Sequence, residues 1–373
     1  MKTALPSRLK LIASSLAIGL SGMTLSAQAE EVLNFYNWSD YIAEDTIERF
    51  EAETGIKVTY DVYDSNETLE AKLLAGNSGY DLVVPSSTFM RLQIAAGIFQ
   101  PMDRSKLPNF ENLDPALLET LANADPGNKY GLPYLWGTTG IGYNVDMVKA
   151  ALGEDAPVDS LDLIFKKENI EKLADCGVTI LDSPNEVMPL VLNYLGKDPN
   201  SNKRKDYKTD GEAAELLKSI RPHIRQFHSS QYINDLANGD ICVAIGFSGD
   251  VFQAQYRAIE AENGVNIEYT IPKEGAEIWF DMMMIPADAK NAENAHKFIN
   301  FVMRPDVIAP ITEYVAYANP NSAANELVDP EITGNPNIYP SDEVRDRLFL
   351  GTQTPPKIAK VQNRTWSDIK TGR

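Results

Sequence analysis

The chain has 373 residues, more than one hydrophobic core usually organises, and is 43 % apolar and 23 % charged. That balance is ordinary for a water-soluble globular protein, and it excludes a disordered chain, a collagen-like chain and a membrane bundle. Thirty-four Lys and Arg against 53 Asp and Glu leave a formal charge of −19. Such a surface repels phosphate backbones and argues against nucleic acid as a partner.

The first segment reads as an export signal. Lys2, Arg8 and Lys10 give a positive start, Leu11 to Leu20 is an apolar stretch too short to span a bilayer, and Ala27-Gln28-Ala29 is a small-residue cleavage pattern. Cleavage is expected after Ala29. It removes three basic residues and no acidic one, which takes the charge to −22. No Cys follows the apolar stretch closely, so a lipid anchor is not expected, and no later apolar run is long enough to cross a membrane.

The two cysteines, Cys176 and Cys242, read in an oxidising compartment as one disulfide. It would close a loop of about 65 residues, worth roughly 4 kcal/mol in the chain-entropy account. Two buried thiols are the alternative. His223, His228 and His296 have no ligand-like spacing, so neither a metal nor a cofactor is expected.

In chain order, Val32 to Tyr36 reads as a strand, Asn37 to Tyr41 as a loop, and Ile42 to Thr54 as a helix stopped by Gly55. Ile56 to Val62 alternates β-branched and polar residues as a strand does; Glu67 to Ala75 is helical, and Tyr80 to Val84 is a short buried strand. This βαβαβ start predicts an α/β fold with a mostly parallel sheet and helices on both faces. Glycine and aromatic residues dominate from Gly131 to Tyr143, which reads as a crossing between lobes. Helices are expected around 170–174, 187–195, 212–227 and 251–263, with strands at 178–181, 241–245 and 278–285. Residues 328–340, rich in Pro and Asn, read as surface loop.

Ligands of open α/β sheets bind beyond the carboxyl ends of the strands. Those positions carry Trp38-Ser39-Asp40-Tyr41, Pro85-Ser86-Ser87, Asp182 to Glu186 and Phe247-Ser248-Gly249-Asp250. Trp279 and Asp281, two apart in a strand, share a face. Singly, each has a plain structural explanation: Asp40 and Asp250 as helix caps, Trp38 and Trp279 as core. Together they offer ring faces, which attract cations, and carboxylates, which bond ammonium groups. A ligand suited to both is an aliphatic chain with positive ends.

Catalytic patterns are weaker. Gly246-Phe-Ser-Gly has the wrong spacing for a nucleophile elbow, and Gly137-Thr-Thr-Gly-Ile-Gly does not follow the nucleotide-binding pattern. No phosphate loop with its lysine is present. The expectation is a binding protein and not an enzyme. Paired acids keep an exported glycoside hydrolase as an alternative, and a receptor for another small solute is a second.

At these residues the sequence resembles the bacterial polyamine-binding proteins of ATP-driven uptake systems. The stretches that carry the likeness are Asn37 to Ile42, Tyr60-Asp61-Val62 with Asp64-Ser65-Asn66-Glu67, Tyr80 to Ser86, Gly140 to Asn144, His228 to Asp240, and Trp279-Phe280-Asp281. The likeness runs from about Glu31 to the C-terminus, nearest to the putrescine receptors. It implies a type II periplasmic binding protein, a monomer of two α/β lobes with a hinge and an interlobe cleft. Residues 30–138 plus 278–325 would form the first lobe and 139–277 plus 326–373 the second. Trp38 and Trp279 would be walls of an aromatic box, with Tyr41, Phe247 and Tyr317 alongside. Ser39 and Ser86 would be polar partners; Glu186, Asp250 and Asp281, and more weakly Asp40, would accept ammonium groups. Trp279 is the larger ring typical of spermidine receptors, whereas Ser183 stands where those carry an acid. Putrescine and spermidine therefore both remain open as ligand. The implied partner is an inner-membrane ABC permease.

Overall fold

The computed structural model describes residues 31–372. The export signal and its cleavage site lie outside the described residues. Ten strands form the frame: β1 (Val32–Trp38), β2 (Lys57–Tyr63), β3 (Leu82–Val83), β4 (Gly131–Asn144), β5 (Val178–Ile180), β6 (Gln226–Phe227), β7 (Val243–Phe247), β8 (Ile267–Thr270), β9 (Glu277–Met284) and β10 (Phe349–Leu350). The sheet order is β2-β1-β3-β9-β4-β7-β5-β6, with β10 beside β9 and β8 beside β4.

The sheet is mixed rather than mostly parallel. β1, β2 and β3 form one parallel group, and β5, β6 and β7 another. Between the groups run β9 and β4, antiparallel to each other and to their neighbours β3 and β7. β4 changes company at Thr139: before it the partner is β9, after it β7 on one edge and β8 on the other. All fourteen residues of β4 are buried. With both faces covered the strand has no alternation, and its glycines are poor strand formers, so pattern reading found a crossing there and no strand. Gly142 shows why one is needed: a Cβ there would sit 2.5 Å from Val251, on the helix Ser248–Glu260.

Local readings hold best near the N-terminus. The helix Thr46–Thr54 ends at Gly55, left-handed at φ 73°, and the helix Asn66–Leu74 is capped by the Ser65 side chain accepting from the Thr68 amide. The helix expected over 212–227 stops at Ile220; the turn Arg221–His223, which contains Pro222, interrupts it before β6. Residues 328–340 are not plain surface loop. Val328 and Ile338 are buried, a turn of helix spans Pro330–Thr333, and the Tyr339 ring packs 5.9 Å from Trp136.

Cys176 and Cys242 form the expected disulfide, with Cα atoms 5.5 Å apart. It ties together the segments that enter β5 and β7. The C-terminal helix Pro356–Thr371 then fixes the loop after β5: the Trp366 indole and the Lys370 ammonium both donate to Asp182, and Gln362 donates to the Pro184 carbonyl.

Candidate ligand-binding site

A cavity of about 370 Å³ lies where these strand ends converge. β1 delivers Trp38 and Ser39; Ser86 precedes the helix Ser87–Ala95; β7 ends on Phe247; Asp250 sits in the first turn of the helix Ser248–Glu260. β9 presents Trp279 and Asp281 from the same side, and Tyr41 and Tyr317 complete the wall. Tyr317 follows the helix Pro305–Val315, which ends on a left-handed Ala316 at φ 54°.

Five rings run around the cavity edge to face. Trp38 meets Phe247 at 6.2 Å between centroids, Phe247 meets Trp279 at 5.6 Å, Trp279 meets Tyr317 at 5.4 Å, and Tyr317 meets Tyr41 at 5.1 Å. The indoles are held by their N–H groups, Trp38 on the Val84 carbonyl at 2.8 Å and Trp279 on the Thr139 hydroxyl at 3.2 Å. Rings fixed in this way present faces to a ligand at little further entropic cost.

Two carboxylates are buried among the rings. Asp250 accepts from the hydroxyls of Tyr232 and Tyr317, each at 2.7 Å. Asp281 accepts from Ser86 Oγ at 2.5 Å, and Ser86 is itself held by the Asn66 amide at 3.0 Å. Burial pushes Asp250 up to about 6 despite its two phenol donors, and pushes Asp281 up to about 7, with the nearby Asp250 adding to the effect. Neither Lys, Arg nor His lines the cavity. A ligand that carries positive charge would lower both pKa values and remove the penalty of two buried anions.

Nine of the eleven residues expected at the site line this cavity. Asp40 does not. Its backbone is left-handed at φ 54°, and its carboxylate pairs with Arg257 at 2.6 Å on the surface. Nor does it cap the next helix, which follows Asp45. Glu186 stands one layer back, accepting from the Thr139 hydroxyl at 3.2 Å. It lines a tight side chamber with Glu67 and Ser183, with no room for a water molecule, that shares Trp38, Asp64, Ser229 and Phe247 with the main cavity. Burial and the carboxylate of Glu67 raise the Glu186 pKa.

Two lining residues escaped the sequence reading, Asp64 and Ser229. The strand-end rule had the means to find Asp64, which directly follows β2. Ser229 follows β6, a strand hidden inside an expected helix. Tyr232, which buttresses Asp250 from behind, carried no signal of its own.

Residues 45–340 match the model of the bacterial extracellular solute-binding proteins, and the chain belongs to that family. It is 59 % identical over 363 residues to the putrescine-binding periplasmic protein PotF of Escherichia coli K12, covering 97 % of each chain. To the putrescine-binding periplasmic protein SpuD of Pseudomonas aeruginosa it is 55 % identical, covering 97 % of this chain and 98 % of the relative. Among solved structures, the spermidine/putrescine ABC transporter substrate-binding protein PotD of Streptococcus pneumoniae superposes with a TM-score of 0.73 at 30 % identity, covering 92 % of this chain and 99 % of that one. The fold is the two-lobed α/β architecture of type II periplasmic binding proteins.

Proposed function

We propose that this member of the solute-binding family captures a polyamine in the ring-lined cavity and delivers it to an inner-membrane ABC permease. The observation that carries the reading is the pairing of Asp250 and Asp281, buried among five rings, with no basic residue in the lining. An amino-acid ligand would need a cation for its carboxylate, and the lining offers none. A sugar would leave two buried acids without a positive partner. A diammonium chain satisfies both acids and lays its methylenes on the rings.

In this reading Asp250 and Asp281 take ammonium groups, and Ser39 and Ser86 are polar partners. Trp38, Tyr41, Phe247, Trp279 and Tyr317 box the carbon chain. Asp64, on the wall of the main cavity, receives an ammonium group that extends beyond the box, and Glu186, one layer back, adds negative charge on that side. The lobes are 30–138 plus 278–325 and 139–277 plus 326–373; the change of partner along β4 at Thr139 supports that division. Closure brings both lobes onto one small molecule, exchanging water for carboxylates and ring faces. The chain works in the periplasm as a monomer, after cleavage behind Ala29. The likeness to PotF and SpuD over nearly the whole chain supports the ligand class and the compartment.

The test is titration calorimetry with putrescine, cadaverine, spermidine, spermine, arginine and maltose on protein stripped of bound ligand. One-to-one binding of at least one diamine or polyamine, with no heat from maltose, is the expected result. The reading fails if every amine is silent.

A further inference from the structure

A second concavity, of about 750 Å³, shares no lining residue with the ligand cavity or its side chamber. It lies between the C-terminal helix Pro356–Thr371 and the turn Arg204–Tyr207 with the residues that follow it. Four long cations line it, Arg204 and Lys208 on one side and Lys360 and Arg364 on the other. All four are exposed, and none of their side chains has an ion-pair or hydrogen-bond partner among the described residues.

Their grouping around one concavity stands out on a chain with 53 acidic residues against 34 basic ones. Some basic side chains elsewhere are neutralised by acids, as Arg49 is by Asp306, Arg304 by Glu53 and Asp306, and Lys297 by Glu31. The acids nearest the groove are taken up locally. Lys197 holds Asp206 and Glu212, and Asp368 accepts from the Thr209 hydroxyl. Asp210 is the single acid in the lining.

The walls are rigid. The Thr365 hydroxyl donates to the Tyr207 carbonyl at 2.8 Å and lies 3.1 Å from Thr209 Oγ1, which locks the helix to the turn. Gln362, Trp366 and Ile369 are buried on another side of the same helix. Four like charges therefore stand around one concavity, where an anion would meet two guanidinium forks and two ammonium groups. Lys203, Lys205 and Lys357, neighbours of these residues in the chain, are also exposed, and their side chains have no ion pair or hydrogen bond among the described residues.

We infer that this groove is a binding site for phosphate-bearing anions, either free in solution or presented as lipid headgroups. A positive face on a strongly negative molecule gives it an electrical polarity, and on a phosphate-rich surface it would be held by that face. Binding here is independent of the polyamine reading, because the two sites have no residue in common.

The experiment uses the whole mature chain at low ionic strength, where screening is weakest. One arm titrates tripolyphosphate by calorimetry. The other cosediments the protein with phosphatidylglycerol vesicles, with phosphatidylcholine vesicles as the neutral control. Binding in either arm should weaken about tenfold or more in the double variant Lys208→Glu/Lys360→Glu. It should weaken less in Lys208→Gln/Lys360→Gln, while putrescine binding and the melting temperature stay as in the parent. Tripolyphosphate alone marks a soluble anion as the ligand; vesicles alone mark the lipid headgroup. The inference is overturned if neither arm shows binding, or if the charge-reversed variant binds as well as the parent.

Discussion

The Tyr317 hydroxyl and Asp250 hold each other in both directions. The hydroxyl donates to Asp250 Oδ1 at 2.7 Å and accepts from the Asp250 amide at 3.1 Å, across 67 residues of sequence. One ring thereby sets both the position of a buried acid and one wall of the cavity, and it does so over a glycine. A Cβ on Gly249 would lie 2.4 Å from the Tyr317 ring.

Gly249→Ala must push that ring away, and the helix cannot yield without moving Asp250. Overpacking of this kind costs about 1–3 kcal/mol. Putrescine affinity is expected to fall about tenfold or more while the circular dichroism spectrum is retained. Unchanged affinity would mean that the ring plays no part in holding the ligand.

Asp250→Asn keeps the shape and removes the charge. Loss of a charge-assisted hydrogen bond to an ammonium group predicts weakening of about 1–3 kcal/mol. Calorimetry at neutral pH measures it. An affinity equal to the parent's would take Asp250 out of the site.

The raised acids make binding pH-dependent, with a definite sign. Asp250 near 6 and Asp281 near 7 are partly protonated around neutrality, and a dication binds their ionised forms. Affinity should therefore fall as pH drops through 7 and then 6, with protons released on binding. Calorimetry in buffers of different ionisation enthalpy counts those protons. In the free protein the sign is opposite. The folded state keeps protons that the unfolded chain loses near 4, so these two groups lower stability as pH rises from about 4 to about 7. Asp281→Asn should therefore gain stability relative to the parent across that window, and a flat difference in melting temperature would contradict the assignment.

Trp279 is the middle ring of the five, and its ring meets both Phe247 and Tyr317. Trp279→Phe shortens that wall and should shift the ratio of spermidine to putrescine affinity several-fold, the scale of one cation–ring contact. If both affinities change in proportion, this ring does not gauge ligand length.

Asp40 and Arg257 join the loop after β1 to the helix that carries Asp250. Both side chains are about a third exposed or more, so the pair contributes at most about 1 kcal/mol and is weakened by salt. Arg257→Gln should speed putrescine release up to about fivefold in stopped-flow measurements at low salt, and by less at high salt. Equal release rates at low salt would show that the pair does not hold the closed form.

Local chemistry is what the sequence by itself determined. Gly55 stopped a helix, Ser65 began one, the two cysteines paired, and alternation two apart put Trp279 and Asp281 on one face. Each of these depends on neighbours in the chain, or on a pairing without rivals. Tertiary structure decided which strand-end acids look inward. Asp40 and Asp64 each follow a strand of the same parallel group, yet a left-handed turn and Arg257 take Asp40 to the surface while Asp64 lines the cavity. Glu186 was set one layer back by its bond from Thr139, a residue of the strand that pattern reading missed. The negative charge visible from the start said nothing of the basic groove, because net charge sums over the chain whereas a field depends on where charges stand. Local periodicity is written in adjacent residues; convergence across two hundred residues is set by the order of strands in the sheet.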